Sequence, residues 1–248
     1  MPETGSKASA PAGPRPPGRA AAWWLAARPK TLSLAVVPVI VGSVLAWAET
    51  GALAWPAMAA ALLAAALIQV GTNLHNDAAD FMRGADGPDR LGPQRAAATG
   101  WLSVRQVLAG AYAAFGGAFL LGVYLAWVGG WPIVAVGLLA LAAGLAYTGG
   151  PRPIAYTSLG ELFVFLFFGV VAVAGSYYLQ TGRVTPAALL LGCALGGFAA
   201  AVLVVNNYRD LEADRRADKH TLAGLLGPAA TKALYAALVS LPFPLLLA

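Results

Sequence analysis

Two stretches of this chain bring together side chains suited to a hard cation. The first, NLHNDAADFMRGADGPDR, runs from Asn73 to Arg90, and the second, NNYRDLEADRRADKHT, from Asn206 to Thr221. Together they hold eight of the eleven acidic residues: Asp77, Asp80, Asp86, Asp89, Asp210, Glu212, Asp214 and Asp218. If the apolar run before the first stretch continues as helix, Asn73, Asp77 and Asp80 stand at i, i+4 and i+7, on one stripe. Asn207, Asp210 and Asp214 repeat that stripe at i, i+3 and i+7. Such oxygen ligands suit Mg2+, which keeps several waters and is shared between one or two carboxylates and substrate phosphates. Zinc is disfavoured, because His75 and His220 have no companion ligands at zinc spacing. The single cysteine, Cys193, lies in an apolar run and reads as packing.

Bases surround these acids: Arg83, Arg90, Arg95, Arg152, Arg209, Arg215, Arg216 and Lys219. The mixture fits a diphosphate, with acids holding the metal and bases contacting oxygens directly. Metal and bases together stabilise charge on a leaving pyrophosphate, so an allylic diphosphate can ionise. An apolar channel would house its tail and keep water from the cation. The competing reading is solvated loops whose Asp–Arg neighbours form surface pairs worth a few tenths of a kcal/mol. Two stripes of matched type argue against it.

The elements that position these stripes are membrane spans. The chain is 59% hydrophobic and 11% charged, and its mean hydropathy is +0.69. Seven apolar runs are long enough to cross a bilayer, at roughly 32–48, 52–75, 102–126, 131–148, 159–180, 186–207 and 228–247. This predicts an all-α polytopic bundle. Residues 1–22, rich in Pro, Ala and Gly, read as a flexible cytosolic tail, and 23–248 as the membrane domain. The last apolar run reaches Ala248, so a longer chain is expected. With the tail inside, fifteen of the sixteen basic residues fall on the cytoplasmic face and only Arg183 on the other. Both acidic stretches are then cytoplasmic. The net charge of +5 reflects topology and not nucleic-acid binding.

Asn76-Asp77-x-x-Asp80 followed by Asp86 resembles the first aspartate motif of the UbiA-type intramembrane aromatic prenyltransferases, and Asp210-x-x-x-Asp214 resembles the second. The segments ARPKTL (27–32), RLGPQR (90–95), YTGGPRPIAYTSLGELFVFLFFG (147–169) and NNYRDLEADRRADKHTLA (206–223) resemble the naphthoate branch of menaquinone synthesis. The resemblance spans about residues 27–240. It implies nine helices, two more than are counted here, around a cavity open to cytoplasm and lipid in a bacterial cell membrane. It also implies transfer of a polyprenyl group from polyprenyl diphosphate to 1,4-dihydroxy-2-naphthoate, releasing pyrophosphate and carbon dioxide. By position, Asn76, Asp77, Asp80, Asp210 and Asp214 would hold Mg2+. Lys219 and Arg152 would contact the diphosphate, Tyr147 would support the cation or the acceptor, and Arg28 and Lys30 would contact either substrate. Gly84 stands where many relatives have a third aspartate, so Asp86 is a further metal candidate. Relatives acting on 4-hydroxybenzoate, homogentisate, haem or glycerol phosphate are the nearest alternatives. A secondary transporter is a remote one, because its polar site would lie at the midplane.

Other polar residues carry competing readings. Glu161 either binds the acceptor, pairs with Arg152, or reaches the interface. His75 faces away from the Asn73/Asp77/Asp80 stripe and reads as packing, and His220 as solvated. The seven tryptophans fall near span ends, as an interfacial belt does. Small residues in GCALGGFAAA (192–201) read as close helix packing, with room for a prenyl chain as the alternative.

Overall fold

The computed structural model describes residues 17–85 and 92–245. Asp86, Asp89 and Arg90, and most of the expected tail, lie outside them. The described chain is helical, without strands: α1 (Arg19–Ala27), α2 (Pro29–Thr50), α3 (Trp55–Met82), α4 (Val104–Gly129), α5 (Trp131–Thr148), α6 (Gly160–Phe165), a π-helical turn (Leu166–Val171), α7 (Ala172–Thr181), α8 (Pro186–Arg209), α9 (Leu211–Arg216), α10 (Leu222–Ser240) and α11 (Pro242–Leu245). Seven helices are long and apolar enough to cross a membrane, counting α6–α7 and α10–α11 each as one. They coincide with the seven predicted runs. The last begins earlier than expected, at Leu222. Thr221 caps it, and a break at Gly227 (φ 73°) before Pro228 divides it. Helix α1 likewise starts inside the region read as tail, with Ala22 fully buried.

Local sequence accounts for the helix ends. Proline occupies the first turn of α2, α3, α5 and α8, where no intrahelical N–H is lost. Ser103 and Gln106 form a capping box on α4, while Gly51 and Gly182 close α2 and α7 in the left-handed region.

Helix α3 is central and touches α1, α2, α4, α5 and α7. Without hydrophobic drive between helices in lipid, close backbone approach has to hold the bundle. At Gly169, in the π-helical turn, an added Cβ would stand 2.4 Å from the Gly192 carbonyl oxygen and 2.4 Å from Gly196 Cα. The small residues of GCALGGFAAA thus meet the π turn backbone to backbone. Five tryptophans (24, 47, 55, 127 and 131) are exposed as a belt requires, but Trp23 and Trp101 pack against the cluster of Ala22, Leu74 and Leu102.

Candidate functional site: a polar network beside an apolar cavity

The first acidic stretch is still helix when it reaches its carboxylates, as the spacing predicted, but the three stripe residues meet three different partners. Asn73 donates to the Ala27 carbonyl and to Thr31 Oγ1, both at 2.9 Å, at the joint of α1 and α2. Asp77 is 1% exposed and accepts the backbone N–H groups of Ala96 (2.8 Å) and Ala97 (3.1 Å). It therefore anchors the loop that carries Arg95, with both carboxylate oxygens engaged.

Asp80 is the hub. Its Oδ2 accepts from Arg95 Nη2 (2.8 Å) and Asn76 Nδ2 (3.0 Å), and its Oδ1 accepts from Tyr156 Oη (3.0 Å). Lys219 Nζ stands 3.6 Å from Asp80 Oδ2 and 3.8 Å from Asp214 Oδ1, so one ammonium joins the two acidic stretches. Asn76 Oδ1 accepts from Arg28 Nη2 (3.0 Å) and from Arg95 Nη1. Lys219 also lies 4.6 Å from the centre of the Tyr156 ring, and Arg83 lies 5.3 Å from it. Arg83 ties the end of α3 to the end of α5 by donating to the carbonyls of Thr148 and Gly150.

Among the described residues, the two non-glycine residues with positive φ both serve this site. Arg28 (φ 53°) forms the joint between α1 and α2, and Asp218 (φ 54°) precedes Lys219 in the turn after α9. Left-handed backbone at a non-glycine residue is held only where surrounding contacts determine it. The contacts here are Arg28 with Asn76, and the Lys219 N–H with the Asp214 carbonyl at 2.9 Å.

The second stripe divides in the same manner. Asp214 is buried and faces Lys219, while Asp210 takes a bidentate bond from its neighbour Arg209 (2.8 and 2.7 Å). Asn207 donates to Glu161 Oε1 at 2.9 Å, so the partner of Glu161 is Asn207 and not Arg152. Lys30 and Arg152 are exposed, outside this network. Tyr147 lines the cavity and lies within electrostatic reach of Glu161, Asp80, Arg28 and Asp214. His75 pairs with Thr148 Oγ1 at 2.9 Å and packs edge-on to Tyr112, as the packing reading expected. Tyr156 was not singled out from sequence. Its signal was its place in PRPIAYTSLG, between Arg152 and Glu161.

Below this network lies a cavity of about 660 Å³. Arg28, Thr31, Gln69, Asn73, Tyr147 and Asn206 form its polar wall. Thr72 and Ser176 apart, the remainder is apolar and follows α3 from Asn73 back to Ala61, about 18 Å at the helical rise. Leu125, Ile133 and Leu179 line it near the far ends of their helices, and Phe163 and Phe167 line it as a stacked pair with ring centres 5.8 Å apart. The π-helical turn supplies Phe167, Phe168 and Val171 to the same wall.

Among the described residues, no three acidic, histidine or cysteine side chains stand close enough to cage a metal ion. What exists is a pair of hard carboxylates, Asp80 and Asp214, that already accommodate a cation in the form of Lys219. That donor set fits a Mg2+ whose remaining ligands are phosphate oxygens and water.

A model of the UbiA prenyltransferase family matches residues 35–248, and the chain belongs to that family. With its seven apolar helices it is a multi-pass membrane protein. It is 42% identical over 233 residues to the 1,4-dihydroxy-2-naphthoate octaprenyltransferase of Mycobacterium tuberculosis, covering 92% of this chain and 79% of the relative. The enzyme of the same name from Escherichia coli is 37% identical, with 89% and 73% covered. UbiA prenyltransferase domain-containing protein 1 of Gallus gallus is 32% identical, with 91% and 68% covered. In fold, the chain resembles a UbiA homolog from Archaeoglobus fulgidus solved with GPP and Mg2+ (TM-score 0.71, 21% identity, 90% of this chain and 76% of that one). The same homolog solved with DMAPP and Mg2+ gives a TM-score of 0.68 at 19% identity, covering 90% of this chain and 75% of that one.

Proposed function

We propose that this protein transfers a polyprenyl group from polyprenyl diphosphate to 1,4-dihydroxy-2-naphthoate, with Mg2+ as cofactor. The observation that carries this reading is Lys219 between Asp80 and Asp214, at the head of an apolar cavity. Relatives bearing the naphthoate prenyltransferase name support the acceptor. In the reaction the C–O bond between the prenyl group and its diphosphate breaks, and a ring carbon of the acceptor forms the new C–C bond. The ring carboxylate leaves as CO2, giving demethylmenaquinol, the hydroquinone form, and pyrophosphate.

Each residue has a part that follows from its surroundings. Asn76, Asp80 and Asp214 would hold the metal, which when bound neutralises charge developing on the leaving diphosphate. Asp210 joins them when Arg209 turns to a phosphate oxygen. Lys219, Arg95 and Arg28 donate to the diphosphate, and Lys30 and Arg152 approach it from the exposed rim. Asp77 acts one step removed, by fixing the loop of Arg95. Tyr147 presents its ring to the allylic cation, and Glu161 is held beside the acceptor by Asn207. The apolar cavity receives the prenyl tail and excludes water from the cation. The excess of basic residues supports a cytoplasmic location, at a bacterial cell membrane, for this site and for the N-terminal tail.

Membranes containing the protein, with Mg2+, a polyprenyl diphosphate and equal amounts of dihydroxynaphthoate and 4-hydroxybenzoate, test the acceptor. Prenylated naphthoquinol with matching CO2 release is the expected product. Prenylated hydroxybenzoate would move the chain to another branch of the family.

A further inference from the structure

The cavity wall holds a polar cluster that the diphosphate site does not use: Thr31, Gln69 and Asn73. Its hydrogen bonds can run in only one direction. Thr31 Oγ1 donates to the Arg28 carbonyl at 2.9 Å, and Asn73 Nδ2 donates to the Ala27 carbonyl at 2.9 Å. Backbone carbonyls only accept, so the Thr31 hydroxyl proton and one Asn73 amide proton are committed there. Asn73 Nδ2 gives its other proton to Thr31 Oγ1, leaving Asn73 Oδ1 turned to Gln69. Gln69 therefore faces two acceptors, Thr31 Oγ1 at 3.1 Å and Asn73 Oδ1 at 3.4 Å, and must present its NH2 to both. Flipping its amide would set oxygen against oxygen.

The consequence lies at the open end. Gln69 is 7% exposed, and its Oε1 is buried without a hydrogen-bond partner among the described residues. A buried carbonyl in that state is completed by a donor. Ionised diphosphate offers acceptors only and a prenyl tail offers neither, whereas a phenolic hydroxyl donates. We propose that Gln69 Oε1 accepts the hydrogen bond of a ring hydroxyl on the aromatic acceptor, and so selects a hydroxylated ring. This rests on the prenyltransferase reading above.

The test uses dihydroxynaphthoate and its two monohydroxy analogues as competing ligands on native membranes and on Gln69→Leu and Gln69→Met variants. In the native protein, loss of one of the two hydroxyls should weaken binding about tenfold or more relative to the parent compound. In both variants that ratio should fall to about one, with the KM for polyprenyl diphosphate unchanged. The ratio is internal to each protein, so a smaller folded fraction does not alter it. Native protein indifferent to both hydroxyls, or variants that keep the native ratio, would overturn the proposal alone. Native protein that prenylates no naphthoate would overturn the underlying reading, and this proposal with it.

Discussion

Asp80 and Asp214, one from each acidic stretch, lean on a single ammonium, with Lys219 Nζ at 3.6 Å from the first and 3.8 Å from the second. Both carboxylates are buried, and two buried anions at this separation need a cation between them. Lys219 supplies that cation, with the Arg95 guanidinium beside it at 2.8 Å from Asp80. In the proposed function, Mg2+ held by these carboxylates would supply the same positive charge, leaving Lys219 for a phosphate oxygen.

Asp77 holds the 95–97 loop through two backbone amides, and stability measurements separate that duty from metal binding. Asp77→Ala leaves the Ala96 and Ala97 amides unpaired, at a cost of about 1–3 kcal/mol for each. Its thermal unfolding midpoint in detergent should fall clearly, with Asp77→Asn, which keeps one acceptor, falling less. An unchanged midpoint in Asp77→Ala would show that those amides do not depend on it.

Tyr156 serves Asp80 through its hydroxyl and Lys219 through its ring. Tyr156→Phe removes one hydrogen bond and keeps the ring, so kcat/KM for the diphosphate should fall about three- to tenfold. Tyr156→Leu loses both contacts and should fall further. Steady-state assays of the two variants at saturating acceptor give the comparison.

Gly169 sets how closely the π-helical turn approaches α8. Gly169→Ala forces a methyl group against the backbone of Gly192 and Gly196 and should destabilise the bundle by about 1–3 kcal/mol. Gly116→Ala, where nothing lies within 4 Å, should show no such loss. Unfolding midpoints measured side by side check both.

The spans and the place of the acids at their ends were legible from apolar run length and charge, because both are properties of consecutive residues. Helix period correctly put Asn73, Asp77 and Asp80 on one side of α3. What stands opposite each of them was beyond its reach, because every partner comes from a distant segment: the α1–α2 joint for Asn73, the 95–97 loop for Asp77, and Tyr156 with Lys219 for Asp80. The same limit explains Glu161, whose sequence neighbour Arg152 is exposed while Asn207 on α8 reaches it. Tyr156 carries no charge and sits in no spacing pattern, so only the fold brings it to Asp80. Gln69 likewise has no motif, and the direction of its hydrogen bonds emerges only with the carbonyls of Ala27 and Arg28 in place.

In the proposed function, Asp80 and Asp214 together hold the magnesium diphosphate. The most direct test is the Mg2+ dependence of prenyl transfer in membranes bearing the native protein, Asp80→Asn and Asp214→Asn, with folding checked by unfolding midpoint. Each variant should need roughly 10–100-fold more Mg2+ for half-maximal rate, or lose the reaction. Native Mg2+ dependence and native rate in both variants would show that these two carboxylates do not hold the metal.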